Sequence, residues 1–196
     1  MVIAALISGL VMAAAAAPPE GSELIGTVPP AWETKDWIGS PPLTLTALRG
    51  KVVLVRWFMS TECPYCTATA PLLNQLHRDF APRGLAVIGM YHHKRPEPVT
   101  RAAVRGWARG YGFRFPVAID PEWRTLRRWW LDGHDHRFTS VTFLLDARGT
   151  IRHIHPGGRM APGTPDAAAM RAKIEVLLDE AKRAEASSTG RAQLQK

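Results

Sequence analysis

The sequence predicts an α/β fold, a central mixed β-sheet flanked by helices. Three observations predict it. Apolar runs rich in β-branched and aromatic residues alternate with stretches of helical periodicity. The first such run, residues 51–59, hands over within a few residues to a helical pattern over 67–80. The last two runs, 140–146 and 150–155, flank the tight turn Ala147-Arg148-Gly149 and read as a β-hairpin. Strand, helix, strand, helix, strand, then a hairpin and a closing helix, is an order that builds a mixed sheet with helices on both faces.

Residues 1–17 carry no charged side chain, and Ala13 to Ala17 is an unbroken alanine run. This reads as a secretory signal peptide cut near Ala16 or Ala17, before Pro18-Pro19. It lacks the usual Lys or Arg near its start. The run falls short of the roughly 20 apolar residues that span a bilayer, so a retained membrane anchor is not expected. The expected location is the periplasm or another exported compartment, where disulfides persist.

Residues 18–42 are rich in Pro, Gly and Ser and read as an extended N-terminal segment, with Trp32 and Trp37 packing onto the domain. The domain itself is expected over 43–185. Leu43-Thr44-Leu45 alternates and suggests a short strand. Ala70, Leu72, Leu73, Leu76 and Phe80 form the apolar face of the first helix, which contains Pro71. Residues 85–91 form a second buried strand ending at His92-His93. Pro96 and Pro98 are expected to start the next helix. There Val104, Trp107, Ala108 and Tyr111 line one face, and Arg101, Arg105 and Arg109 another, solvated one. Residues 115–119 are a short strand, and 122–131 follow a helical pattern. A final helix over 166–186 carries Met170, Ile174, Leu177, Leu178 and Ala181 on one side. The polar stretch 186–196 reads as a disordered C-terminal tail.

Four residues organise the chain: Cys63-Pro64-Tyr65-Cys66, which hold its only two cysteines. They stand where the first strand gives way to the first helix. A sulfur at a helix N-terminus faces unpaired backbone N–H groups and the positive end of the helix dipole. Both favour the thiolate, which is the nucleophile. A cysteine one turn into the helix can close a disulfide with it. Two other readings of the pair exist. It could be half of a zinc site, but a closed site needs four ligands and no second cysteine pair is present. It could be a staple, but so small a loop removes little chain entropy.

The net charge is +8, yet no zinc-finger spacing, RNA-binding aromatic signature or long basic run accompanies it. Nucleic acid is not an expected partner. His92 and His93, His134 and His136, and His153 and His155 form three imidazole pairs. Imidazole with thiolate suits copper or zinc, although no spacing fixes four ligands.

These motifs together resemble the thioredoxin superfamily, and within it the exported TlpA-like redoxins, which overlap in sequence with AhpC/TSA-type domains. The matching residues are 48–55 before the cysteines, Cys63-Pro64-Tyr65-Cys66 itself, Pro71, and Thr142-Phe143-Leu144-Leu145-Asp146 with Gly149. The resemblance implies a thioredoxin-like fold and thiol–disulfide exchange without a cofactor. Cys63, as the more exposed sulfur, would attack a partner disulfide, and Cys66 would resolve the mixed disulfide. Partners would be protein or small-molecule thiols and disulfides. Ser140 and Val141 align with the family's cis-proline, the backbone platform for a partner chain. Trp57 stands where thioredoxins keep a buried carboxylate, with Arg56 beside it. Thr69 stands where some TlpA-like proteins keep a glutamate. Arg56 and Ser60 replace the Pro and Thr of the peroxide-binding motif, which argues against a thiol peroxidase. An AhpC/TSA-type peroxidase and a Cys/His copper- or zinc-binding protein are the alternatives to an exported thiol–disulfide oxidoreductase. With helix N–H groups and no buried carboxylate nearby, Glu62 reading as a surface residue, Cys63 should have a pKa below about 8.5. Its disulfide should be more oxidising than thioredoxin's, above about −270 mV.

Overall fold

A computed structural model describes residues 18–95 and 97–193; the signal peptide expected over 1–17 lies outside them. Six strands form one sheet: β1 (Trp37–Ile38), β2 (Val52–Phe58), β3 (Leu85–Tyr91), β4 (Val117–Ile119), β5 (Thr142–Leu145) and β6 (Ile151–His155). Their spatial order is β1-β4-β3-β2-β5-β6. β2, β3 and β4 run parallel; β1, β5 and β6 are antiparallel to their neighbours. The expected hairpin is β5–β6, closed by Gly149 N donating to the Asp146 carbonyl at 2.8 Å.

β2 is buried at every position, as a central strand covered on both faces must be. Its side chains alternate between two cores. Val52 and Leu54 face α1 (Pro64–Phe80) and α4 (Pro165–Gln193), where Leu72, Leu76, Met170 and Ile174 pack. Val53, Val55 and Trp57 face a second core built from Trp32, Trp37, Trp129 and Trp130. α2 (Arg101–Gly110) lies with α1, sharing Val104 and Ala108 with Phe58 and Tyr91.

Several elements depart from the sequence expectation. Leu43-Thr44-Leu45 is not a strand. Thr44 Oγ1 accepts the Ala47 N–H at 3.0 Å, and a hydroxyl that serves its own backbone favours a turn. An edge strand is β1 instead, inside the segment read as extended, and Trp32 and Trp37 of that segment pack into the core. α2 starts at neither proline: Thr100 caps it, its Oγ1 accepting from Ala103 N at 3.1 Å. Residues 122–131 split into α3 (Arg124–Leu126) and a π-turn, Arg127–Leu131. α4 runs to Gln193, into the expected tail. Ser187 donates back to the Arg183 carbonyl, and Ser188 and Thr189 to that of Glu185, within the helix.

Candidate active site

The site lies at the carboxyl ends of β2 and β3, where open α/β sheets present their ligands. Met59 to Glu62 lead from β2 into α1. Tyr111 fixes this turn, its hydroxyl donating to the Ser60 carbonyl at 2.7 Å, and the same carbonyl accepts Cys63 N at 3.0 Å. Cys63 is the N-cap of α1 and Pro64 its first residue, the position where a missing N–H is harmless. Cys63 and Cys66 are joined in a disulfide, with Cα atoms 5.3 Å apart. Cys66 N donates to Cys63 Sγ at 3.2 Å. The backbone donor expected to stabilise a thiolate is therefore in place. Pro71 sits inside α1 and the helix continues past it.

The two sulfurs differ less in exposure than expected. Cys63 is 5% exposed and Cys66 3%. They differ instead in what they face. Cys63 lines a cleft of about 410 Å³ with Met59, Pro64, Tyr91, His92 and Trp107 around it; Cys66 does not. Tyr65 projects outward and meets Phe138 edge-on, ring centroids 5.7 Å apart. Val141 is fully buried and its carbonyl accepts Trp57 N at 3.0 Å, so that group belongs to the sheet. Ser140 is also buried, beside Gly157.

Beneath α1 the electrostatics are inverted relative to thioredoxin. Arg56 points neither to solvent nor into the cleft. It is 1% exposed and bridges three elements, donating to Thr142 Oγ1 at 3.0 Å, Thr69 Oγ1 at 3.3 Å and the Gly158 carbonyl at 3.2 Å. Its Nε has no partner. Burial pushes its pKa down to about 9, which leaves it cationic near neutral pH. Thr69 sits one turn past Cys66, so a buried cation underlies the helix that carries both cysteines. Glu62, the nearby carboxylate, is exposed and paired with Arg95 on the surface.

Sequence reasoning named His92 only as half of a histidine pair. It is wholly buried and lines the Cys63 cleft, and neither ring nitrogen has a partner among the described residues. Burial, with Lys94, Arg56 and His93 nearby, pushes its pKa down to about 3, so it is neutral. Trp123 closes over it with ring centroids 5.4 Å apart. Trp123 is held in the left-handed region (φ 63°) while its Nε1 donates to the His93 carbonyl at 2.5 Å. That is a costly conformation for a bulky residue. His93 bridges away from His92, between the Tyr91 hydroxyl at 2.8 Å and the Glu97 carbonyl at 2.6 Å. The available signal was position: a histidine doublet ending a strand parallel and adjacent to the one before the cysteines. Among the described residues His153 and His155 do not converge on a ligand set; His155 Nε2 lies 3.3 Å from Asp166. His134 and His136 do converge, with Glu23.

Comparison with known proteins agrees with this architecture. The AhpC/TSA family model matches residues 25–154. Protein DipZ of Mycobacterium tuberculosis is 31% identical over 138 residues, 69% of this chain and 19% of DipZ. The thiol-disulfide oxidoreductase ResA of Halalkalibacterium halodurans is 28% identical over 116 residues, 59% of this chain and 60% of ResA. The chain thus spans only part of the length of these relatives. A thiol-disulfide isomerase structure from Corynebacterium glutamicum superposes with a TM-score of 0.60 at 26% identity, covering 76% of this chain and 96% of that one. A Cys-Pro-Tyr-Cys disulfide capping a helix, a sheet of thioredoxin type and a family match across most of the domain converge: the chain belongs to the AhpC/TSA family, as a thioredoxin-like redoxin.

Proposed function

We propose that the protein is an exported thiol–disulfide oxidoreductase working through Cys63 and Cys66. The observation that carries the reading is the disulfide at the α1 N-terminus, of which Cys63 alone borders the cleft. In the reducing direction, the Cys63 thiolate attacks one sulfur of a substrate disulfide. A Cys63–substrate disulfide forms and the other substrate sulfur leaves as thiolate. The Cys66 thiolate then attacks Cys63 Sγ, closes the Cys63–Cys66 disulfide and releases the second substrate thiolate. The oxidising direction is the reverse.

Cys66 N and the helix N-terminus stabilise negative charge on Cys63. Arg56 adds a buried positive charge beneath the same helix. His92, neutral and buried in the wall of the cleft, keeps a second positive charge away from Cys63 without presenting its ring nitrogens to solvent. Met59, Tyr91 and Trp107 supply an apolar wall, and Lys94 and Arg95 a basic rim. Such a cleft suits an extended thiol- or disulfide-bearing peptide better than a small polar thiol. The apolar leader over residues 1–17 supports export. The Cys66→Ser variant tests the assignment. It should accumulate mixed disulfides on Cys63, identified by mass spectrometry, and in the parent protein hydrogen peroxide turnover should stay far below disulfide exchange. Absence of any trapped partner together with rapid peroxide turnover would overturn the reading.

A further inference from the structure

Away from the cysteines, three side chains meet that have no role in the exchange. Glu23 comes from a short 3-10 turn of the N-terminal segment, Ser22–Leu24. His134 and His136 come from the loop between the π-turn and β5. One ligand atom from each lies within 4.8 Å of the other two. Glu23 Oε1 stands 3.3 Å from His134 Nδ1 and 3.5 Å from His136 Nε2. Both distances are long for a charge-assisted hydrogen bond, which is about 2.7–2.9 Å. They match a different geometry. Zinc holds nitrogen and oxygen ligands at about 2.0–2.2 Å in a tetrahedron, so two ligands of one ion stand about 3.4 Å apart.

The outer contacts point the same way. His136 Nδ1 is bonded to the Trp130 carbonyl, and a carbonyl can only accept, so Nδ1 carries the proton. That leaves Nε2 as the nitrogen facing Glu23, the atom a neutral ring would offer to a metal ion. A ligating histidine anchored through its other nitrogen to a backbone carbonyl is the usual support for a metal site. The His136 side chain is only 5% exposed and stacks on Trp130, so its orientation is set by packing. His134 lies parallel to His136, ring centroids 4.9 Å apart, and completes the set from the solvent side.

We propose that Glu23, His134 and His136 bind one divalent transition-metal ion of the zinc class. Two imidazoles and a carboxylate leave the remaining coordination position to water. The ion would tie the N-terminal segment to the loop that carries Phe138, the residue packed on Tyr65. Glu20 already joins the same two segments, accepting Arg137 N at 2.9 Å.

Zinc chloride titrated calorimetrically into the protein with its disulfide intact tests this, because the sulfurs are then unable to compete. One zinc per chain is expected. Glu23 and His134 are exposed, so Glu23→Gln and His134→Ala should fold normally yet weaken zinc binding by about tenfold or more. Cys63→Ser/Cys66→Ser should bind zinc as the parent does. Parent-like affinity in both Glu23→Gln and His134→Ala would overturn the proposal, and so would loss of binding in the double cysteine variant.

Discussion

At the scale of single residues, the molecule's unusual choice is a buried cation in place of a buried acid. Arg56 has no carboxylate among its described contacts, and its hydrogen bonds go to two hydroxyls and a carbonyl. A thiolate above it is favoured, and so is the reduced form of the pair. Arg56→Met should therefore lower the reduction potential by about 30 mV, a tenfold change in the exchange constant with glutathione. An unchanged or raised potential would show that the charge does not reach the sulfurs. His92 makes a second prediction at this scale. Its folded pKa of about 3 lies below the unfolded value near 6.5. The unfolded chain therefore binds a proton that the native state refuses. Its contribution is fully present above pH 6.5 and is lost as the pH falls toward 3, at about 1.4 kcal/mol per pH unit. His92→Phe should flatten that acid limb in urea titrations run at several pH values. An equally steep limb in the variant would contradict the assignment.

At the scale of elements, Gly157 shows how the end of β6 and the loop that carries Phe138 are coupled. It adopts φ 126°, and a Cβ there would sit 2.3 Å from Phe138 Cβ. A Cβ cannot swing aside as a flexible side-chain tip can, so the loop itself would have to move. Gly157→Ala should cost about 1–3 kcal/mol and displace Phe138 from Tyr65; a denaturation midpoint matching the parent would refute this. The sequence displayed the long elements well. β2, β3, α1 and the β5–β6 hairpin carry strong apolar periods, and the cysteines mark the junction between the first two kinds. It hid β1, because two residues are too few to show a period. It hid the π-turn, because Trp129 and Trp130 fit a helical pattern as well as the wider one. It also concealed the end of α4, since a polar composition reads as a tail while a helix continues into it. The Cys63–Cys66 pair and its place at the head of α1 were legible from the motif alone. The convergence of His92 on the cleft, and of Glu23 on His134 and His136, depends on contacts far apart in the chain, which no local spacing encodes.

At the scale of the whole molecule, one face of the sheet is closed by α1, α2 and α4 and the other by a tryptophan-rich layer that includes α3 and the π-turn. Trp32 and Trp37 arrive from the N-terminal segment and pack against Trp129, which in turn meets Trp57. Removing residues 18–42 would uncover this core and delete β1, whereas removing 1–17 leaves both in place. The shorter chain should lose cooperative thermal unfolding and the longer one keep it; a cooperative transition in the shorter chain would contradict the role given to the tryptophans. Trp107 stands apart from that cluster, on the wall of the cleft that Cys63 borders. An excited indole transfers an electron readily to a nearby disulfide, and poorly to a pair of thiols. The emission of Trp107 should therefore be quenched in the oxidised protein and brighten when dithiothreitol is added. Trp107→Phe should abolish most of that change while the core tryptophans keep emitting. The cleft thus carries its own optical gauge, by which the opening and closing of the Cys63–Cys66 disulfide can be followed in real time without any label.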